Sequence, residues 1–294
     1  MPMNSKKGVL AKPDEEKTMN SLVVIRGGGD LASGVAHRLF VCGFRVVILE
    51  LFEPRMIRRT VSFAEAVYQG SWTIENVRAQ YVRRLSSIRL RDRSLPYIPV
   101  LADPDGSSLA RLKPDVLVDA RMAKRNLGTR RGEAPLVIAL GPGFTAGDDV
   151  DAVVETKRGH TLGRVIWEGA ALPNTGIPGE VGGFTAERLL KAPQEGVFHP
   201  RKSIGERVLP GEAVADVGGV PLTASIGGIV RGMLKEGLSV RPGEKVGDID
   251  PREDTHVDII SDKARSIGGG VLEAILSWEA GRGLIKKERG DSAG

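Results

Sequence analysis

One cysteine, Cys42, occurs in the 294 residues of this chain, which excludes an internal disulfide and a thiolate cage for a metal. Aromatic residues make up 4% of the chain, too few for the stacking platforms that hold single-stranded nucleic acid. No apolar run approaches the roughly 20 residues needed to span a bilayer. Residues 1–18 are polar and lack the apolar centre of a secretion signal, so the cytoplasm is the expected compartment. The histidines His37, His160, His199 and His256 are scattered without a pair at helical or hairpin spacing, and no metal site is expected. Neither Gly-x-Ser-x-Gly nor the phosphate-loop pattern ending in Gly-Lys-Ser/Thr occurs, which sets aside serine hydrolase and P-loop readings.

What is present is an ordinary globular composition, with 41% hydrophobic and 27% charged residues. The length suggests about two domains. Lys plus Arg number 42 against 37 Asp plus Glu, a net charge of +5. The excess is concentrated at Arg83, Arg84, Arg89, Arg91 and Arg93, read as a solvated connection, and no nucleic-acid partner is expected. A small anionic ligand suits the same charge balance.

Residues 22–50 read as strand, glycine turn, helix and strand. The first apolar run stops at Gly27, Gly28, Gly29 and Asp30, and Ala32 completes a Gly-x-Gly-x-x-Ala pattern. Glycines there allow a sharp reversal and close approach of backbone to a pyrophosphate, while free N–H groups at the helix start favour an anion. Glu50, at the tip of the second strand, is placed to accept hydrogen bonds from ribose hydroxyls and to repel a 2′-phosphate. The pattern therefore predicts NAD or another dinucleotide, with a ligand-free α/β turn as the alternative.

Further short apolar runs at 77–82, 98–101, 116–118 and 136–140 predict a mostly parallel, Rossmann-like α/β domain over 21–192, between a disordered tail at 1–20 and the next unit. Glycine and polar groups recur at the strand ends, in residues 119–124 and at Gly141, Gly143 and Phe144, and three such ends together would line one crevice. Lys157, Arg158 and His160 lie within four residues, suited either to gripping an oxyanion or to a solvated hairpin tip.

A second unit is marked by an internal repeat. Val208-Leu-Pro-Gly-Glu-Ala-Val-Ala-Asp-Val matches Val240-Arg-Pro-Gly-Glu-Lys-Val-Gly-Asp-Ile, which implies two copies of one β unit. The pattern resembles the barrel-sandwich hybrid of biotinyl and lipoyl carrier domains and is assigned to 193–252. The tip that would present a modified lysine is Gly218-Gly219-Val220-Pro221, so packing or docking is expected rather than carriage. A strand at 257–260 and a helix at 271–278, within a returning segment 253–285, precede a tail at 286–294. Gly268 and Gly269, before that helix, offer N–H groups to an anion or serve as a close-packing device.

Six motifs carry a family resemblance: the turn around Gly27, Arg58-Arg-Thr-Val-Ser-Phe-Ala-Glu-Ala-Val-Tyr, Gly141-Pro-Gly-Phe-Thr-Ala-Gly, Glu155-Thr-Lys-Arg-Gly-His, Pro173-Asn-Thr-Gly-Ile-Pro-Gly and Ser261-Asp-Lys-Ala-Arg-Ser-Ile-Gly-Gly-Gly. Together they resemble the accessory family of selenium-dependent molybdenum hydroxylases, similar in role to XdhC-type maturation factors. The resemblance implies a molybdenum hydroxylase as client and partner, and molybdenum cofactor (molybdopterin) as cargo. It carries over no catalytic residue. An NAD-dependent oxidoreductase and a docking scaffold without small ligand stand as alternatives.

Overall fold

A computed structural model describes residues 21–88, 95–176 and 179–290. The expected tails at 1–20 and 291–294, and Arg89, Arg91 and Arg93 of the basic run, lie outside the described residues. The expected tail at 286–294 is corrected over 286–290, which continue the last helix.

The large sheet is built from β1 (Leu22–Arg26), β2 (Arg45–Glu50), β3 (Ser71–Ile74), β4 (Val77–Val82), β5 (Ile98–Ala102), β6 (Val116–Asp119), β7 (Leu136–Leu140), β9 (Ala152–Val154) and β10 (Val165–Ile166). Its strand order is β10-β9-β7-β6-β1-β2-β5-β4-β3. A two-stranded ribbon of β8 (Thr145–Ala146) and β11 (Gly169–Ala170) lies outside it. The inner strands are parallel, whereas β3 and β10 run antiparallel to their neighbours at the two edges. The strands are apolar on both faces, as parallel strands buried on both sides must be. The turn from β3 to β4 places Glu75 and Asn76 at positive φ, which matches a tight hairpin with right-handed strand twist.

One face is covered by α1 (Asp30–Val41) and α4 (Asp262–Gly290), which bury Val35, Leu39, Ile267, Val271 and Ile275 against Val23, Ile25 and Ile48. The helices approach closely because Gly34 and Gly268 carry no side chain. A Cβ at Gly34 would stand 2.7 Å from the Ala264 Cβ, and one at Gly268 would stand 2.9 Å from the Gly34 carbonyl oxygen. The helix expected at 271–278 therefore starts nine residues earlier, at Asp262, and the segment 257–260 is not a strand. The other face is covered by loops and one short helix, α3 (Leu109–Leu112), with Phe144, Ala146 and Val150, while α2 (Ala66–Gln69) packs with the first face and leads into the β3–β4 hairpin.

The remaining strands form two curled antiparallel sheets. The first has the order β12-β19-β17-β14, from Leu189–Lys191, Lys245–Asp250, Gly228–Met233 and Arg207–Val208. The second has the order β16-β15-β13-β18, from Val220–Thr223, Ala213–Val217, Gly196–Pro200 and Ser239–Val240. The repeat has physical content in this arrangement. Its first copy holds β14 and β15 and its second holds β18 and β19, with Gly211 and Gly243 both at positive φ in the turns between them. Leu209 N–H donates to Glu212 at 2.9 Å, as Arg241 N–H donates to Glu244 at 3.1 Å.

The expected fold class, a Rossmann-like mostly parallel sheet domain plus a small barrel-sandwich-hybrid domain, is corrected to a large mixed sheet plus curled antiparallel sheets. The alternating helices of a Rossmann unit shrink to the single turn of α3 after β5 and are missing after β6 and β7, because these connections are rich in Gly, Pro and charged residues rather than apolar residues at sustained helical spacing. Nor are the antiparallel sheets a module apart from the large sheet. Ile57, from the connection after β2, packs against their core, and its carbonyl accepts the Met233 N–H at 2.7 Å.

Candidate functional site

The glycine turn is the first place to look for a ligand, and the protein's own groups fill most of it. Gly28 N–H donates to Glu50 Oε2 at 2.6 Å, and Leu51 N–H donates to Glu50 Oε1 at 2.7 Å. Gly28 carbonyl accepts the Ala64 N–H at 2.9 Å and the Ser33 hydroxyl at 3.1 Å. Residues 62–64 thus lie over the turn, and a Cβ on Gly28 would meet the Ala64 nitrogen at 3.0 Å. Gly27, at φ 96°, turns the chain against the Ala120 backbone. Burial pushes the Glu50 carboxyl up, against the pull of the Leu51 and Gly28 amides. Gly29 faces open space, and Asp30 pairs with Arg58 at 3.2 Å.

An open cavity lies beyond the carboxyl ends of β6, β7 and β9, where the antiparallel sheets meet the large sheet. It encloses about 700 Å³. From the large sheet it receives Lys124 after β6, Pro142 after β7, and Thr156, Lys157 and Arg158 after β9. Arg188 and Lys191 come with β12, Arg231 with β17, Lys245 with β19, and Lys263 with the first turn of α4. Among the described residues the lining holds these eight cationic side chains and no carboxylate. Met122, Leu172, Pro173, Val181 and Leu189 supply apolar wall.

Local geometry explains how the cations are held. Glu155, buried at the end of β9, accepts Lys157 N–H at 2.7 Å and Leu172 N–H at 2.8 Å, tying two segments of the wall together. Thr156 hydroxyl donates to the Gly141 carbonyl at 2.6 Å. Met122 and Lys124 sit at φ 55° and 62°, a left-handed backbone that costs non-glycine residues energy and clusters at ligand sites. Gly143 makes this possible, since a Cβ there would come within 2.6 Å of the Lys124 carbonyl carbon.

Four of the cations have carboxylate partners behind the wall. Arg158 forms a bidentate pair with Asp262 at 2.7 and 3.0 Å, Arg231 lies 3.2 Å from Asp250, and Arg188 and Lys245 each lie 3.9 Å from Asp248. Lys124, Lys157, Lys191 and Lys263 have no ion pair among the described residues. Burial lowers the Lys263 ammonium, with the charge of Asp30 opposing the shift. Burial also lowers Lys245, against Asp248 and Asp30. Arg231 is lowered by burial and then by the neighbouring Arg58.

Of the residues singled out from the sequence, Lys157 and Arg158 come together in this cavity, while His160 is exposed and outside its lining. Gly141 and Gly143 lie outside the lining, packed against Ala171 and the Lys124–Arg125 backbone, and Phe144 is buried in the core. Gly268 and Gly269 lie inside α4 rather than at its start. Lys124 belongs to the strand end 119–124 expected to line a crevice, and Lys263 is legible as a candidate acid–base group, whereas sequence reasoning missed Arg188, Lys191, Arg231 and Lys245, which come from well-separated parts of the chain and share no local pattern.

No protein-family model matches the chain. It is 48% identical over 275 residues to a protein of Escherichia coli (strain K12) described as "Uncharacterized protein YqeB", covering 93% of this chain and 50% of that one. The chain thus spans about half the length of the curated relative it matches. Among solved structures it is similar to an aspartoacylase family protein from Mesorhizobium loti, at 12% identity and TM-score 0.24 over 79% of this chain and 84% of that one. It is also similar to a product-bound ectoine utilization protein from Ruegeria pomeroyi, at 13% identity and TM-score 0.24 over 79% and 85%. A succinylglutamate desuccinylase/aspartoacylase from Rhodobacter sphaeroides matches at 28% identity over 24% of each chain, with TM-score 0.20.

These matches correct the family resemblance. They are desuccinylase and aspartoacylase family proteins and an uncharacterized relative, and nothing in them points to XdhC-like maturation of a selenium-dependent molybdenum hydroxylase. The alternatives of an NAD-dependent oxidoreductase and of a ligand-free docking scaffold find no support either. Among the described residues no helix is long and apolar enough to cross a membrane.

Proposed function

We propose that this chain binds a small polyanion, bearing phosphate or carboxylate groups, in the basic cavity at the carboxyl ends of β6, β7 and β9. The observation that carries this reading is the lining itself, with eight cations and no carboxylate among the described residues around a cavity of about 700 Å³. Bringing like charges together costs energy that an anion recovers. Guanidinium groups suit planar or tetrahedral oxyanions through paired N–H donors, and ammonium groups serve as point charges beside them. The apolar wall at Met122, Leu172 and Pro173 fits a ligand with an uncharged body attached to its anionic groups.

Isothermal titration with pyrophosphate, citrate and NAD tests the reading. At least one of these should bind the wild-type chain with an affinity that falls as salt rises. Lys124→Glu and Lys157→Glu, both at exposed positions, should each weaken it by about tenfold, roughly 1.4 kcal/mol. Equal affinity in wild type and both variants would place the ligand elsewhere, and no binding by any of the probes would remove the proposal.

A further inference from the structure

We infer that Lys263 forms an imine with an anionic carbonyl compound, an oxo acid or a phosphorylated aldehyde, held in the basic cavity. The inference rests on the proposed polyanion site and names the reactive group within it. Lys124, Lys157 and Lys191 are exposed and Lys245 stands beside Asp248, whereas Lys263 is half-buried and has no ion pair among the described residues. Its position is fixed by the first turn of α4, which is anchored on one side by the Arg158–Asp262 pair and on the other by the close approach of Ala264 to Gly34. The groups whose charges act on it are Asp30, Glu155 and Asp262, opposed by Arg158. Asp30 is paired with Arg58, and both oxygens of Glu155 are occupied by backbone N–H groups, so neither carboxylate fixes the ammonium by direct contact. Burial in a cationic cavity favours the neutral amine, and a neutral amine beside cations that hold a substrate anion is the arrangement carbonyl capture needs.

The step balances without an oxidant or reductant. The Nζ lone pair attacks the carbonyl carbon and the carbonyl π pair moves onto oxygen. That oxygen takes protons from the attacking nitrogen and from solvent and leaves as water. The product is a protonated carbon–nitrogen double bond on Lys263, with the ligand's anionic group held by neighbouring cations such as Lys157.

Glyoxylate is the probe, with sodium borohydride added to the full-length chain to reduce any imine to a stable secondary amine, followed by peptide mass mapping. Lys263 should take up the label ahead of exposed lysines such as Lys113, because the cavity holds the anionic aldehyde and burial favours the neutral amine. Pyrophosphate should protect it. Lys263→Arg keeps the charge but cannot form the adduct, so it should lose the label. Labelling spread evenly over exposed lysines, or unchanged total labelling in Lys263→Arg, overturns the inference. Selective labelling without any pyrophosphate binding or protection would sink the polyanion reading and leave the reactive lysine standing, so the two failures are distinguishable.

Discussion

Lys191 and Lys245 stand directly opposite each other where β12 pairs antiparallel with β19, at a break in the register after Leu190. Like charges across such a pair are destabilising, and a chain selected for stability alone has no use for them there. Lys191→Gln should therefore raise the stability of the ligand-free protein by about 0.5 kcal/mol and weaken pyrophosphate binding. Urea midpoints and calorimetry on the same preparation read both effects. A variant that is less stable and binds unchanged would show that the pair serves packing.

The adjacent Gly268 and Gly269 separate packing from ligand binding. Gly268 faces the Gly34 carbonyl, so Gly268→Ala forces α1 and α4 apart and should cost about 2 kcal/mol. Gly269 has nothing within 4 Å of an added Cβ. Gly269→Ala should instead stabilise the helix by about 0.5 to 1 kcal/mol. Thermal unfolding compares them, and pyrophosphate affinity should be unchanged in Gly269→Ala. A loss of affinity there would restore the expectation of an anion at these amides.

Local signals in the sequence identify most strands of the large sheet, because each is a short apolar run ended by glycine, proline or an acidic residue. The repeat around Pro210 and Pro242 is equally visible, since two copies of one turn need the same Gly and Glu. The helix from Asp262 to Gly268 is masked by three consecutive glycines, which read as a breaker, although Gly268 lets α4 lie against Gly34 and Gly270 lets it lie against Gly163. The glycine turn misleads for a related reason. Its amides are satisfied by Glu50, and whether a side chain twenty-odd residues on reaches back to a turn depends on tertiary geometry. The cavity is the least legible feature, because Lys124, Arg188, Arg231 and Lys263 converge only once the antiparallel sheets meet the large one.

Glu50 carries a pH dependence of defined sign. Burial raises its carboxyl above the ordinary 4.5, despite the Leu51 and Gly28 amides, so the folded chain favours the protonated form. In the pH range between the ordinary and the raised value the folded state binds more protons than the unfolded one, and stability falls as pH rises. Wild type should therefore lose stability relative to Glu50→Gln between pH 4.5 and neutrality. The slope of the difference is the readout, because the side-chain amide introduced by the substitution adds an offset against the Leu51 N–H that does not change with pH. A wild type that gains on the variant over this range would mean that the amides outweigh burial.

Asp250 has the opposite sign and bears on the cavity. Burial pushes its carboxyl up, but the Arg252 side chain and N–H, with the charge of Arg231, outweigh burial and bring it to about 2. Arg252 Nη2 lies 2.7 Å and Arg231 Nη1 3.2 Å from the same oxygen, and the carboxylate is fully buried. Its stabilisation is complete above the unfolded value of 3.8 and is lost as pH falls through about 2. Asp250→Asn should thus destabilise the protein near neutral pH by roughly 2 kcal/mol, because it leaves the mostly buried Arg231 without a charge partner. The gap between wild type and variant should close toward the acid end of a guanidinium series. Where the variant is folded, Arg231 is freed toward the cavity, so pyrophosphate should bind it at least as tightly as wild type. Weaker binding by a variant whose circular dichroism matches wild type would mean that Arg231 is a structural cation and that the anion is held by the lysines alone.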